Sequence, residues 1–207
     1  SAAQVPVPSE KLVAADSSVP QPPQPAREPG GVVHVETDLL RVQISTTGGD
    51  LRRLEFTMHR DTFDRDKTFV LLERRPDHTF IAQSGLIGAE LPNHRTQFSS
   101  DAERYELAEG ADRVEVRLTA PESGGMQVTK VYRFHRNSYL IEVGFEIVNK
   151  GSKAVQPYAY FQLVRDDKPP AGDSAMVPTF TGAAVYTEKE KFQKVSFEDI
   201  QEGKAPY

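Results

Sequence analysis

From Val32 onward apolar side chains recur at every second position, and this period limits the fold more than any other feature of the chain. In "LLRVQIS" Leu40, Val42 and Ile44 alternate with Arg41, Gln43 and Ser45. "VEVRLT" repeats the pattern with Val114, Val116 and Leu118, and "YLIEVGFEIVN" with Tyr139, Ile141, Val143, Phe145 and Ile147. Successive strand residues point to opposite faces, so each run describes a strand with one face buried and one in water. "YAYFQLV" (158–164) is apolar in both phases and reads as a strand covered from both sides. The connectors are short and polar: "EGAD" at 109–112, "ESGG" at 122–125, "RNS" at 136–138 and "NKGSK" at 149–153. A parallel crossover takes about a dozen residues or more, so the stretch 104–165 is expected to form a five-strand antiparallel meander. Helical periodicity is scarce, and "TEKEKFQK" (187–194) supports a turn or two at most. The expected class is all-β, mostly antiparallel, with a few short helices.

Adjacent glycines in "STTGGDLRRLEF" (45–56) pose a choice between a phosphate cradle and a bend. A phosphate loop opens a helix, whose first amides receive the anion. Here Leu51, Leu54 and Phe56 follow with no Lys-Ser/Thr pair, so Gly48 and Gly49 are expected in a tight turn of positive φ.

The first 31 residues follow another rule. They hold seven of the 15 prolines and no aromatic residue. Such a segment buries too little apolar surface to offset its ordering entropy, which predicts a disordered, proline-rich tether over 1–31 ahead of a folded domain over 32–207. "PQPPQP" contains PxxP, but without a flanking basic residue the tether is the better account. The opening lacks the basic and apolar regions of a signal peptide, and no apolar run is long enough to cross a bilayer. Lys+Arg 25 against Asp+Glu 30 gives a net charge of -5, which excludes the basic footprint of a nucleic-acid binder. With no cysteine there are no disulfides, thiolate metal sites or thiol nucleophiles.

Little chemistry is legible. His34, His59, His78, His94 and His135 are scattered, with no pair at metal-ligand spacing. "DTFDRDKTF" brings Asp61, Asp64 and Asp66 together, but an EF-hand register from Asp64 puts Phe69 at the glycine position and Arg75 at the bidentate Glu. A solvated loop is the reading there, and for "RDDKPPAGD" as well. No G-x-S-x-G elbow is present. No catalytic residue, metal or cofactor is expected.

Several stretches resemble one family. "VETDLLRVQISTTGGDLRRLEF" is similar to the opening of the large periplasmic domain of the YidC family of bacterial inner-membrane protein insertases. "FVLLE", "FIAQSGLIG", "YELAEG" and "KVYRFHRNSYLIEVGFEIVNKGSKAV" follow in the family's order, and "FTGAAVYTEKEKFQKVSFEDI" (180–200) is the most specific piece. The resemblance covers about residues 32–201 and implies a β-supersandwich related to galactose mutarotase-like folds, at the periplasmic face of the bacterial inner membrane. It implies an accessory, non-catalytic module whose partners are SecDF, the Sec translocon and nascent membrane proteins. The fold's relatives supply the alternative, a sugar-binding or mutarotase-like carbohydrate enzyme, which needs a His and a Glu facing each other across a concave sheet. The chain has neither the mutarotase histidine motifs nor any tryptophan for sugar stacking. "SFEDI", with Glu198 and Asp199, reads as a surface strand or turn.

For a partner groove the densest aromatic and polar set is "QPYAYFQLV", which nominates Tyr158, Tyr160, Phe161 and Gln162 as contact residues; the competing reading makes them core and sheet packing. On the groove reading, Phe161→Ala destabilises the fold and Tyr160→Ala weakens partner binding instead.

Overall fold

The computed structural model describes residues 30–88, 90–168 and 180–204. All of the expected tether except Gly30 and Gly31 lies outside the described residues, as does the end of "RDDKPPAGD". Thirteen strands and one short helix run in this order: β1 (Val32–Glu36), β2 (Leu40–Ser45), β3 (Leu51–Arg60), β4 (Thr68–Arg75), β5 (His78–Ile87), β6 (Ser99–Ser100), β7 (Arg104–Glu106), β8 (Arg113–Thr119), β9 (Met126–His135), β10 (Ile141–Asn149), β11 (Tyr158–Arg165), β12 (Gly182–Thr187), β13 (Lys191–Ser196) and α1 (Phe197–Gln201).

Alternation decides which side of each strand is dry. Leu40, Val42 and Ile44 of β2 face inward with Val33 and Val35 of β1, and across the layer they meet Val116 and Leu118 of β8 and Val128, Tyr132 and Phe134 of β9. Two sheets therefore sandwich one core. The larger has the order β11-β5-β4-β3-β2-β1-β7, the smaller β10-β9-β8-β6, and β12 and β13 form a separate hairpin. Among the described residues every pairing is antiparallel except β1 with β7.

Charge laces the solvent faces. On the large sheet Arg41 bridges Glu36 at 3.2 Å and Glu55 at 3.1 Å, and Arg53 pairs with Glu55 and Glu73. On the small sheet Glu115 takes both Arg117 and Arg133 at 2.8 Å, and Arg117 also reaches Glu146. The Arg117 guanidinium holds the Glu115 carboxyl below its ordinary pKa. Exposed pairs of this kind add little stability, but they keep both outer faces wet.

The expected five-strand meander is three strands. Within 104–165 only β8, β9 and β10 are consecutive neighbours; β7 crosses to pair in parallel with β1, and β11 crosses to pair with β5. "EGAD" and "NKGSK" are short, yet they pass between layers, because a connector of a few residues spans the gap between stacked sheets as easily as a hairpin. "TEKEKFQK" is not helical. It closes the β12–β13 hairpin, where the Thr187 hydroxyl accepts the Glu190 amide, Lys191 takes a φ of 62° and Tyr186 pairs with Phe192. The helix lies in "SFEDI" instead, where Ser196 caps α1 by accepting the Asp199 amide at 3.1 Å.

Candidate functional site

At one edge of the large sheet β11 is paired, among the described residues, with β5 alone. Directly opposed residues of an antiparallel pair share a face, and Phe161 and Leu163 of β11 sit opposite Ser84 and Ala82 of β5. That is the inner face, yet Phe161 is 61% exposed and Leu163 68%. Phe161 and Leu163 form the rim of a cleft of about 200 Å³. Leu51, Ala82, Tyr132 and Val143 line its walls together with Gln83, Ser84 and Gln162. None of these residues is charged.

The four nominated residues divide. Phe161 and Gln162 line the cleft, while Tyr158 is exposed at the start of β11 and does not. Tyr160 points the other way and is buried, its hydroxyl accepting the His94 amide at 3.0 Å and meeting His94 Nδ1 at 2.6 Å. Burial pushes the Tyr160 hydroxyl pKa up, against the His94 amide. Gly85 makes room for this ring: a Cβ there would lie 2.6 Å from the Tyr160 hydroxyl. Tyr160 is therefore the packed residue of the two and Phe161 the exposed one, and β11, expected to be covered on both sides, is among the described residues an edge strand with exposed side chains on one face. Period two shows that the two residues oppose each other but not which side is covered.

Behind the cleft lies a polar group that the sequence reading missed. Gln162 donates to Gln83 at 2.8 Å, and Gln83 donates to the Asp50 carboxylate at 2.7 Å. Lys130, fully buried on β9, donates to the carbonyls of Gly48 at 2.9 Å and Ser84 at 3.1 Å. Tyr132 donates to the Gly49 carbonyl at 2.6 Å. Gly48 and Gly49 do form a turn of positive φ, 73° and 60°, and its two carbonyls latch one sheet to the other. Desolvation lowers the Lys130 pKa to about 7, opposed by the Asp50 carboxylate. Burial also drives the Tyr132 phenol far up. The signal was present in the sequence: Met126, Val128, Lys130, Tyr132 and Phe134 share one phase, which puts a lysine in an apolar row.

Other candidates for chemistry stay at the surface. Asp61 accepts the amides of Phe63 and Asp64, and Asp64 that of Asp66, so the acidic loop caps its own backbone. Among the described residues no three His, Asp or Glu side chains are arranged to hold a metal. One His–Glu pair does converge, His135 Nε2 to Glu142 at 3.1 Å. It lies beside the β9–β10 turn in the phase opposite Phe134 and Val143, on the solvent side and away from the cleft.

The class defined by these features is a two-layer, mostly antiparallel β domain with an uncharged cleft at its open side. The family model described as the YidC periplasmic domain matches residues 32–207. A membrane protein insertase YidC of Nitrosospira multiformis is 47% identical over 216 residues, covering 99% of this chain and 37% of the relative. Those of Nitrosomonas europaea and Aromatoleum aromaticum are each 51% identical, over 86% and 84% of this chain and 29% and 32% of the relatives. The chain belongs to the YidC periplasmic-domain family and stands at the periplasmic face of the bacterial inner membrane. It spans about a third of the length of the relatives it matches. Among the described residues no helix is long and apolar enough to cross a membrane.

Proposed function

We propose that this domain acts by binding, as an accessory module of a membrane protein insertase that engages SecDF and the Sec translocon and receives segments of nascent membrane proteins. One observation carries the reading: on a molecule whose outer sheet faces are laced with ion pairs, the cleft at Phe161 and Leu163 is apolar, open and uncharged. Contiguous exposed apolar surface of this kind marks interaction sites. On the same reading residues 1–31 tether the domain, and the sheets belong to the wider supersandwich of mutarotase-like folds. The carbohydrate alternative gains nothing from the cleft, which offers no carboxylate and no imidazole.

A photo-crosslinking residue at position 163 of the full-length protein in membranes, compared with one at position 117 on the charged face, tests the proposal. Capture of SecDF subunits or nascent chains from position 163 alone supports it. Equal capture from both positions, or none from either, overturns it.

A further inference from the structure

Lys130 is 0% exposed, so its burial depends on nothing outside the sandwich. A charged amine carries three N–H groups and a neutral one two. The nitrogen donates to two carbonyls, those of Gly48 at 2.9 Å and Ser84 at 3.1 Å, a number that suits the neutral form. Other neighbours suit the charged form. The nitrogen lies 5.5 Å from the centre of the Tyr132 ring and 5.9 Å from that of Phe145, and the Asp50 carboxylate acts on it from the end of the glycine turn. The titratable groups that face this spot are Asp50 from the turn, Tyr132 from β9, Tyr160 from β11 and His94 from the connector before β6. The remaining packed elements present Ser84 from β5, Leu118 from β8 and Phe145 from β10.

The turn that Lys130 holds is built to move. Gly48 and Gly49 both have positive φ; a Cβ on Gly48 would strike the His94 carbonyl, and one on Gly49 would lie 2.9 Å from Leu118 and 3.0 Å from Lys130 Cδ. Once released, paired glycines have more backbone freedom than any other residues. Ser84, the second anchor, lines the cleft beside Gln83, whose side chain donates to Asp50. We propose that Lys130 is a proton-operated clasp: as a neutral amine it holds the glycine turn to the cleft floor, and on taking up a proton it releases the turn so that water reaches the charge. An ion in a closed interior has lost its hydration, and opening restores it. Burial accordingly brings the Lys130 pKa down from 10.5 to about 7, with the Asp50 carboxylate opposing. In the open turn the amine regains its ordinary value. Between about pH 7 and 10.5 opening therefore takes up one proton, and each unit of falling pH favours it about tenfold. The clasp works whatever the cleft binds, so it stands apart from the binding role.

The test follows the 207-residue chain by NMR with carbon-labelled lysine. The Lys130 Cε signal should titrate near pH 7, and the Gln83 side-chain amide, bonded to Asp50, should shift with the same midpoint. The Ser45 and Gly48 amides close the turn on the Asp50 and Thr96 carbonyls. Their protection from hydrogen exchange should rise about tenfold per pH unit from pH 7.5 to 9. Lys130→Met should abolish that rise, and Asp50→Asn, which removes the opposing charge, should lower the Lys130 midpoint. Low urea should speed exchange across β8 and leave Ser45 and Gly48 unchanged, the mark of a local opening. Four results overturn the clasp: a Lys130 signal that titrates near its ordinary pH of 10.5, flat protection at Ser45 and Gly48, equal urea dependence at the turn and β8, or a Gln83 signal that does not move. These four are read on the unaltered chain, so a variant that fails to fold leaves the test intact. Crosslinking from position 163 in membranes is independent of each, so failure here is distinct from failure of the accessory role.

Discussion

Tyr132 and Phe161 both project into the space between the sheets, and one is 1% exposed while the other is 61% exposed. The two belong to regions that differ in what stands opposite. Around Tyr132 the sheets overlap, and its hydroxyl and Lys130 hold the Gly48–Gly49 turn from across the layer. Around Phe161 the inner face opens into the cleft. The side chain does not set burial here; what packs against it does. One aromatic packs a core, and the other, on the same inner surface, stays exposed.

The sharpest way to break this comparison is to truncate one aromatic from each region. Phe134→Ala, within the overlap, should cost about 3–5 kcal/mol in urea denaturation, and Phe161→Ala no more than about 0.5 kcal/mol. Similar losses would mean that the cleft is closed in solution. Next in size is Tyr160→Phe, which removes the hydroxyl that accepts the buried His94 amide and should cost about 1–3 kcal/mol by the same assay. A neutral result would show that the amide finds other company.

The latched region should also respond to pH. The folded Lys130 pKa lies below its ordinary value, so between about pH 7 and 10.5 the unfolded chain binds the extra proton. Stability should therefore rise as pH rises through that window, with a slope of at most about 1.4 kcal/mol per pH unit. Comparing the chain with Lys130→Met from pH 7.5 to 9.5 isolates the effect: the variant's profile should be flatter, and parallel profiles would remove the buried lysine as its source. Smallest of all, Glu115→Gln on the wet outer face should move the melting temperature by no more than about 2 °C, and 1 M salt should erase the difference.

Legibility in the sequence followed the reach of the interactions. Faces were readable wherever alternation was clean, as in Leu40, Val42 and Ile44, because side-chain period is a local property. The glycine turn was readable for the same reason. Sheet membership was not, since nothing within "NKGSK" states that the chain leaves β10 for the opposite layer. Local capping beat helix propensity in the C-terminal stretch, where Thr187 and the Tyr186–Phe192 pair favour a hairpin and Ser196 starts the helix only afterward. At the candidate site the sequence pointed to β11 but not to which of its side chains is covered. Tyr160 is covered by His94, a residue distant in sequence that the pattern of β11 does not announce.

The Gly48–Gly49 turn closes on donors more than eighty residues later in the chain. As the polypeptide emerges, the first hairpins can assemble, but their central loop has no clasp until the ninth strand arrives. Long separations of this kind slow assembly, because a large loop must be closed before any contact rewards it. The domain's early half should therefore remain pliable during synthesis and become rigid in one late step, when a single lysine and its neighbouring tyrosine arrive together.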